Sequence, residues 1–161
     1  MWATILSQMP HHLEEQGMAF WIGRWATSWR DPDGARRTGS NVVVELEGSV
    51  RELFEGPGSP HRYVGVSLST WNDRGRTWQQ EYWDNAGYHA FFEGGWRPGG
   101  EGDRFILDLV RGGGQDPGQR RLVWHGIEPD RLLWDYERSE DGGASWTSTW
   151  RIKYRRISTR P

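Results

Sequence analysis

Beyond residue 20 the chain is written in a period of two, and no other feature constrains its fold as strongly. In SWTSTWRIKYRR, Trp146, Trp150, Ile152 and Tyr154 fall on one side, and Thr147, Thr149, Arg151, Lys153 and Arg155 on the other. In RLLWDYER, Leu132, Trp134 and Tyr136 oppose Leu133, Asp135 and Glu137. Successive side chains of a strand point to opposite faces, so such segments pack one face and wet the other.

Ten segments follow this rule, at residues 24–30, 40–47, 49–54, 62–71, 77–84, 88–97, 104–110, 120–127, 131–138 and 145–156. Most connections are short: DPDGARR, EGS, DRGR, DNAG, EPD and EDGGA. A parallel crossover needs about a dozen residues or more, so short links make successive strands antiparallel neighbours. Left flat, ten strands would expose two unpaired edges, and closure removes both. The expected fold is all-β, a ten-stranded antiparallel up-and-down barrel of the calycin type, with a two-sheet sandwich as the alternative. A short N-terminal helix is expected over residues 10–16, opened by Pro10 and stopped by Gly17. The chain reads as one domain over residues 1–161, with 1–20 as a helical cap and about 21–156 as the barrel.

Only 35% of residues are apolar, yet 12 Trp, 5 Tyr and 5 Phe can still build a core. Each buried aromatic removes roughly 150–250 Å² from water. The 20 basic and 22 acidic residues are interspersed, with no basic stripe to neutralise a phosphate backbone, so nucleic acid is not an expected partner. No Cys is present, which excludes disulfides and thiol chemistry. The first twenty residues lack a basic, apolar leader, and no apolar run approaches the roughly 20 residues of a membrane span. A soluble, cytoplasmic protein with no membrane partner is expected.

FWIGRWATSW places Gly23-x-Trp25 at the start of the first strand, after a short helical segment. This resembles the opening signature of lipocalins and other calycins. The resemblance implies that the Trp plugs the barrel base beneath a basic residue of the last strand, here Arg151, Arg155 or Arg156. WIGRWATSW, TGSNVVVELEGSVRELFEG, WQQEYWDNAG and WDYERSEDGGASWTSTWRIKYRR together resemble an uncharacterised bacterial family of lipocalin-like barrels related to nitrobindins. The resemblance covers about residues 19–156 and implies a ten-stranded barrel around a central cavity. Nitrobindins hold haem through a histidine near the C-terminal strands. No histidine follows His125 here and the glycine-rich nitrobindin opening is missing, so haem is disfavoured and no cofactor is expected.

SEDGGASW has the spacing of the Asp-box of sialidases, and NDRGRTW nearly repeats it. A turn explains both: Asp accepts from turn amides, Gly tolerates positive φ, and Trp packs beneath a hairpin. Of the five histidines, His11 and His12 are adjacent and share no face, and His61 lies in a Pro/Gly loop. His89 and His125 alternate with Phe92 and Trp124, so an outward position is expected, with a cavity-facing catalytic or ligand role as the alternative. No convergent metal set, no Gly-x-Ser-x-Gly elbow and no carboxylate pair with glycosidase spacing stands out. No catalytic residue is nominated.

What remains is the inner face. Gln80, Tyr82, Tyr88, Phe92, Trp124, Trp134, Tyr136 and Trp150 are the expected ligand-binding residues. The bland reading is that they fill a solid core. Against it, about eight strands already leave room for a small ligand, and ten enclose more. The leading expectation is a hydrophobic or aromatic small molecule bound in the barrel. One alternative is a cavity enzyme, a cyclase, isomerase or lyase; a strongly perturbed ionisable group facing the cavity would favour it. Others are a structural module, for which a homodimer is a candidate assembly, and sugar binding by outward Trp71, Trp83 or Trp96.

Overall fold

The computed structural model describes residues 17–99, 102–114 and 117–161. The helix expected over residues 10–16, and with it His11 and His12, lies outside the described residues. Ten strands follow a single 3-10 turn at Ala19–Trp21. They are β1 (Gly23–Arg30), β2 (Arg36–Leu46), β3 (Ser49–Gly56), β4 (Tyr63–Asn72) and β5 (Thr77–Asp84), then β6 (His89–Arg97), β7 (Arg104–Gly112), β8 (Gln119–Glu128), β9 (Arg131–Ser139) and β10 (Thr147–Ser158). Each pairs antiparallel with the next and β10 returns to β1, closing the barrel in up-and-down order. The closed barrel replaces the sandwich alternative.

One end is plugged. Trp21 and Met18 are buried there beside Trp25, Val43, Val50, Trp78, Phe105 and Trp124. Phe20 wedges between Trp96 and Phe105, at ring distances of 5.2 and 5.7 Å. Trp96 Nε1–H donates to the Gly17 carbonyl at 3.1 Å, tying the chain entry to β6. Burying one such ring removes roughly 150–250 Å², on the order of 4–6 kcal/mol of transfer free energy.

The Gly-x-Trp signature has its physical reason at this base. Gly23 has a φ of 136°, a conformation glycine tolerates, and a Cβ there would overlap Ser158 and Arg156. The Arg156 guanidinium lies over the Trp25 ring, 3.9 Å from its centroid. It donates to the carbonyls of Phe20, Ile22 and Pro129. Of the three arginines named from sequence, Arg156 takes the position over the Trp.

Two sequence expectations are corrected. Trp146 does not share the inner face of Trp150, Ile152 and Tyr154. It precedes β10, the register slips between Ser148 and Trp150, and its ring packs under Arg121, whose guanidinium is 3.9 Å from its centroid. Trp71 and Trp96 do not point outward: both pack against the core, Trp71 on Trp78 at 6.0 Å and Trp96 on Phe105 at 5.5 Å. Only Trp83 of the three named for sugar stacking is outward and exposed.

The motifs that resembled Asp-boxes are hairpin turns. SEDGGASW links β9 to β10, where Asp141 accepts from the Ser145 hydroxyl at 2.6 Å and amide at 2.9 Å and from Ser139 Oγ at 2.8 Å. Those hydrogen bonds, Ser145 foremost, hold the Asp141 carboxyl down at about 2. NDRGRTW links β4 to β5, but there Asn72 accepts the Gly75 amide, and Asp73 accepts from Trp71 Nε1. The turns share a spacing, not a hydrogen-bond pattern.

Candidate ligand-binding cavity

Above its plug the barrel is hollow, with a cavity of about 230 Å³. All eight residues named from the alternation line it: Gln80 and Tyr82 of β5, Tyr88 just before β6, Phe92 of β6, Trp124 of β8, Trp134 and Tyr136 of β9, and Trp150 of β10. Phe54, Leu122 and Ile152 complete an apolar wall. Trp134 meets Trp150 edge to face at 5.5 Å and 87° and Trp124 at 6.4 Å and 79°, and lies parallel to Tyr136 at 6.5 Å. Among the described residues the buried Trp124 Nε1–H finds no acceptor.

The mouth carries a rim of tyrosines set by the DNAG turn. Asp84 Oδ1 accepts the amides of Ala86 and Tyr88, each at 2.9 Å, and its Oδ2 accepts the Tyr63 hydroxyl at 2.9 Å. Since Tyr63 donates to Asp84, Tyr82 donates to Tyr63 across 2.6 Å. Tyr88 and Tyr136 share a second hydroxyl pair at 2.8 Å. Burial raises the Tyr63, Tyr82 and Tyr88 phenols well above their ordinary range, so all three stay neutral donors and acceptors. Gly65 makes room for this arrangement, because a Cβ there would overlap the Tyr82 hydroxyl.

Sequence reasoning missed the group with the most chemistry. Glu52 faces the cavity from β3, between the inward Val50 and Phe54. Asn41 Nδ2 donates to its Oε1 and Ser67 Oγ to its Oε2, both at 2.7 Å. The same Asn41 amide reaches the Tyr154 hydroxyl at 3.0 Å. Burial, opposed by the Ser67 and Asn41 hydrogen bonds, pushes the Glu52 carboxyl up to about 7. One level deeper, the buried Gln80 donates to Ser69 Oγ at 2.9 Å. The available signal was the parity of polar residues: Asn41 with Val43, Glu52 with Val50 and Phe54, Ser67 with Ser69.

The cavity has a neighbour at its seam. The β1–β10 ladder runs from Arg24↔Ser158 to Ser28↔Lys153. Above it a surface cleft opens between the strand ends, bordered by Trp29, Arg30, Arg36, Ser148 and Lys153. Trp150 borders both cleft and cavity and meets Trp29 edge-on at 5.8 Å, so one pair of rings separates them.

No histidine among the described residues lines the cavity. His89 lies outside, stacked on Trp83 at 5.3 Å and 2.6 Å from Glu81. His125 is outside too, 2.9 Å from Asp135, which also takes a bidentate pair from Arg151 at 2.6 and 2.7 Å. Burial alone would raise Asp135; Arg151 and His125 outweigh it and hold that carboxyl at about 2. Among the described residues no three His, Asp or Glu side chains converge to hold a metal.

The closed antiparallel meander, the plugged base and Arg156 over Trp25 fit the calycin class, a lipocalin-like barrel. No protein-family model matches the chain, and no curated protein matches it. Among the described residues no helix is long and apolar enough to cross a membrane.

Proposed function

We propose that the barrel binds a small, mainly apolar molecule of one ring or two in its interior. The supporting observation is a cavity of about 230 Å³ walled by Trp and Phe rings and anchored by a few polar groups. An apolar cavity of ~150 Å³ takes benzene, so scaling by volume gives a ligand of roughly nine non-hydrogen atoms. The nitrobindin relationship belongs to this proposal and rests on the sequence patterns alone. Haem does not fit: no histidine reaches the space among the described residues, and the volume is far below that of a porphyrin.

Quenching or shift of tryptophan fluorescence on titration with benzyl alcohol tests the reading. Saturable binding that disappears in Ile152→Phe, which fills the cavity, is expected. No saturable response in the wild-type protein would overturn it.

A specific observation favours one second reading, an enzyme of the cyclase, isomerase or lyase kind. Glu52 titrates near neutrality and faces the cavity, as a general acid or base must. The three half-buried rim phenols are held neutral, which leaves Glu52 as the better proton-transfer group.

A further inference from the structure

We propose that the cavity selects a protonated amine on a single-ring apolar body, with the ammonium held by Glu52 among the rings of Phe54, Trp150 and Tyr154. The assignment rests on the cavity being a ligand site, and three features of the wall carry it.

First, both Glu52 oxygens already accept, from Asn41 and from Ser67, so the carboxyl is arranged as an acceptor with one lone pair spare on each oxygen. Second, no Lys, Arg or His among the described residues lines the cavity, so the carboxylate has no counter-charge of its own there. A buried ion without a partner is unfavourable, and an incoming cation supplies what the wall omits. Third, the neighbouring surfaces are aromatic. Phe54 is two residues along the same face of β3, Trp150 meets it at 6.0 Å, and Tyr154 reaches the carboxylate through Asn41. Aromatic side chains beside a buried carboxylate favour an ammonium group, because a cation is attracted to an aromatic ring face.

The groups around Glu52 are otherwise quiet. Asn41 of β2 and Ser67 of β4 are neutral, and burial keeps the phenols of Tyr63, Tyr82 and Tyr154 neutral. Asp84, at the rim, is the other carboxyl of the lining, and Arg120, buried beside the mouth on the inner face of β8, does not border the cavity. The cations of the β1–β10 cleft, Arg30, Arg36, Arg151 and Lys153, lie across the Trp29–Trp150 pair, where solvent screens them, and Arg151 is paired with Asp135. Because Glu52 titrates at about 7, making the carboxylate reduces affinity at pH 7 only by a factor of about two.

The test compares benzylamine with benzyl alcohol, neutral and of the same size, by calorimetry on the full chain. Benzylamine is expected to bind at least about tenfold more tightly at pH 8, and to tighten about tenfold between pH 6 and pH 8 while benzyl alcohol stays flat. Glu52→Gln is expected to erase the preference, so that the two probes bind within about twofold of each other at pH 8. The wild-type protein supplies a check that needs no variant. Titrated at pH 6 in two buffers of different ionisation heat, benzylamine should release close to one proton. Benzyl alcohol binding without a benzylamine preference, or benzylamine binding without proton release, overturns the amine assignment and leaves the cavity reading standing. Binding of neither probe overturns both.

Discussion

Glu52→Gln is expected to stabilise this protein, and to do so only as the pH rises. The ordinary glutamate value of 4.5 governs the unfolded chain, and burial moves it to about 7 in the barrel. Between those values the folded state holds a proton that the unfolded state has released, so stability falls as pH climbs through the window. The full shift corresponds to about 3 kcal/mol at pH 8.5, and less than about 1 kcal/mol has been lost at pH 5. Glutamine carries no charge at either pH, and its amide can accept from Asn41 and donate to Ser67 in place of the carboxylate contacts. Urea unfolding followed by tryptophan fluorescence at the two pH values reads the difference directly. The variant is expected to match the wild type within about 1 kcal/mol at pH 5 and to exceed it by about 3 kcal/mol at pH 8.5. In a chain of this length the second figure corresponds to a rise in Tm of roughly 6–12 °C. Parallel pH profiles for the two proteins would refute the reasoning, because they would mean that Glu52 is ionised and solvated in the fold.

Three further outcomes follow from the same contacts. Arg156→Lys should lose about 2–4 kcal/mol, since an ammonium cannot lie flat on Trp25 and reach the carbonyls of Phe20, Ile22 and Pro129 together; thermal unfolding checks it. Gly65→Ala should lose about 1–3 kcal/mol through overlap with the Tyr82 hydroxyl, and adding Tyr82→Phe should recover much of that loss, as a double-mutant cycle would record. In acid, Asp135 runs opposite to Glu52. Its carboxyl is held below the ordinary 3.8 at about 2, so the stability it contributes is complete above pH 3.8 and lost as pH falls through 2. That contribution is at most about 2 kcal/mol because Arg151 is half exposed and screened, and Asp135→Asn should flatten this acid limb of the stability profile.

The strands were legible because period-two alternation is a direct imprint of burial on one face. Start and end differ from the pattern mainly where the pattern is weak. β2 begins at Arg36 rather than residue 40, because RRTG is polar on both faces and its pairing with β1 leaves no mark in the sequence. Trp146 was misplaced because the bulge between Ser148 and Trp150 breaks the alternation without changing composition. Trp71 and Trp96, expected as outward rings, have inward parity and close the plugged end. Seven aromatic residues of the wall and Gln80 were legible from the alternation, whereas Phe54, Tyr63, Tyr154 and the carboxylate Glu52 were not among the ligand-binding residues it named. A carboxylate at an inward position contradicts the rule that charge stays outside, so composition gives no sign of Glu52. Its partners Asn41 and Ser67 come from β2 and β4, 11 and 15 residues away, and only the register brings them to it.

The most direct measurement of the central claim is a crystal structure of the protein exposed to benzylamine at pH 8. The account predicts density for one ring-sized molecule inside the barrel, its nitrogen within hydrogen-bonding distance of Glu52 and its ring against Trp134 and Trp150. An interior filled by collapsed side chains, with no space for the probe, would contradict it.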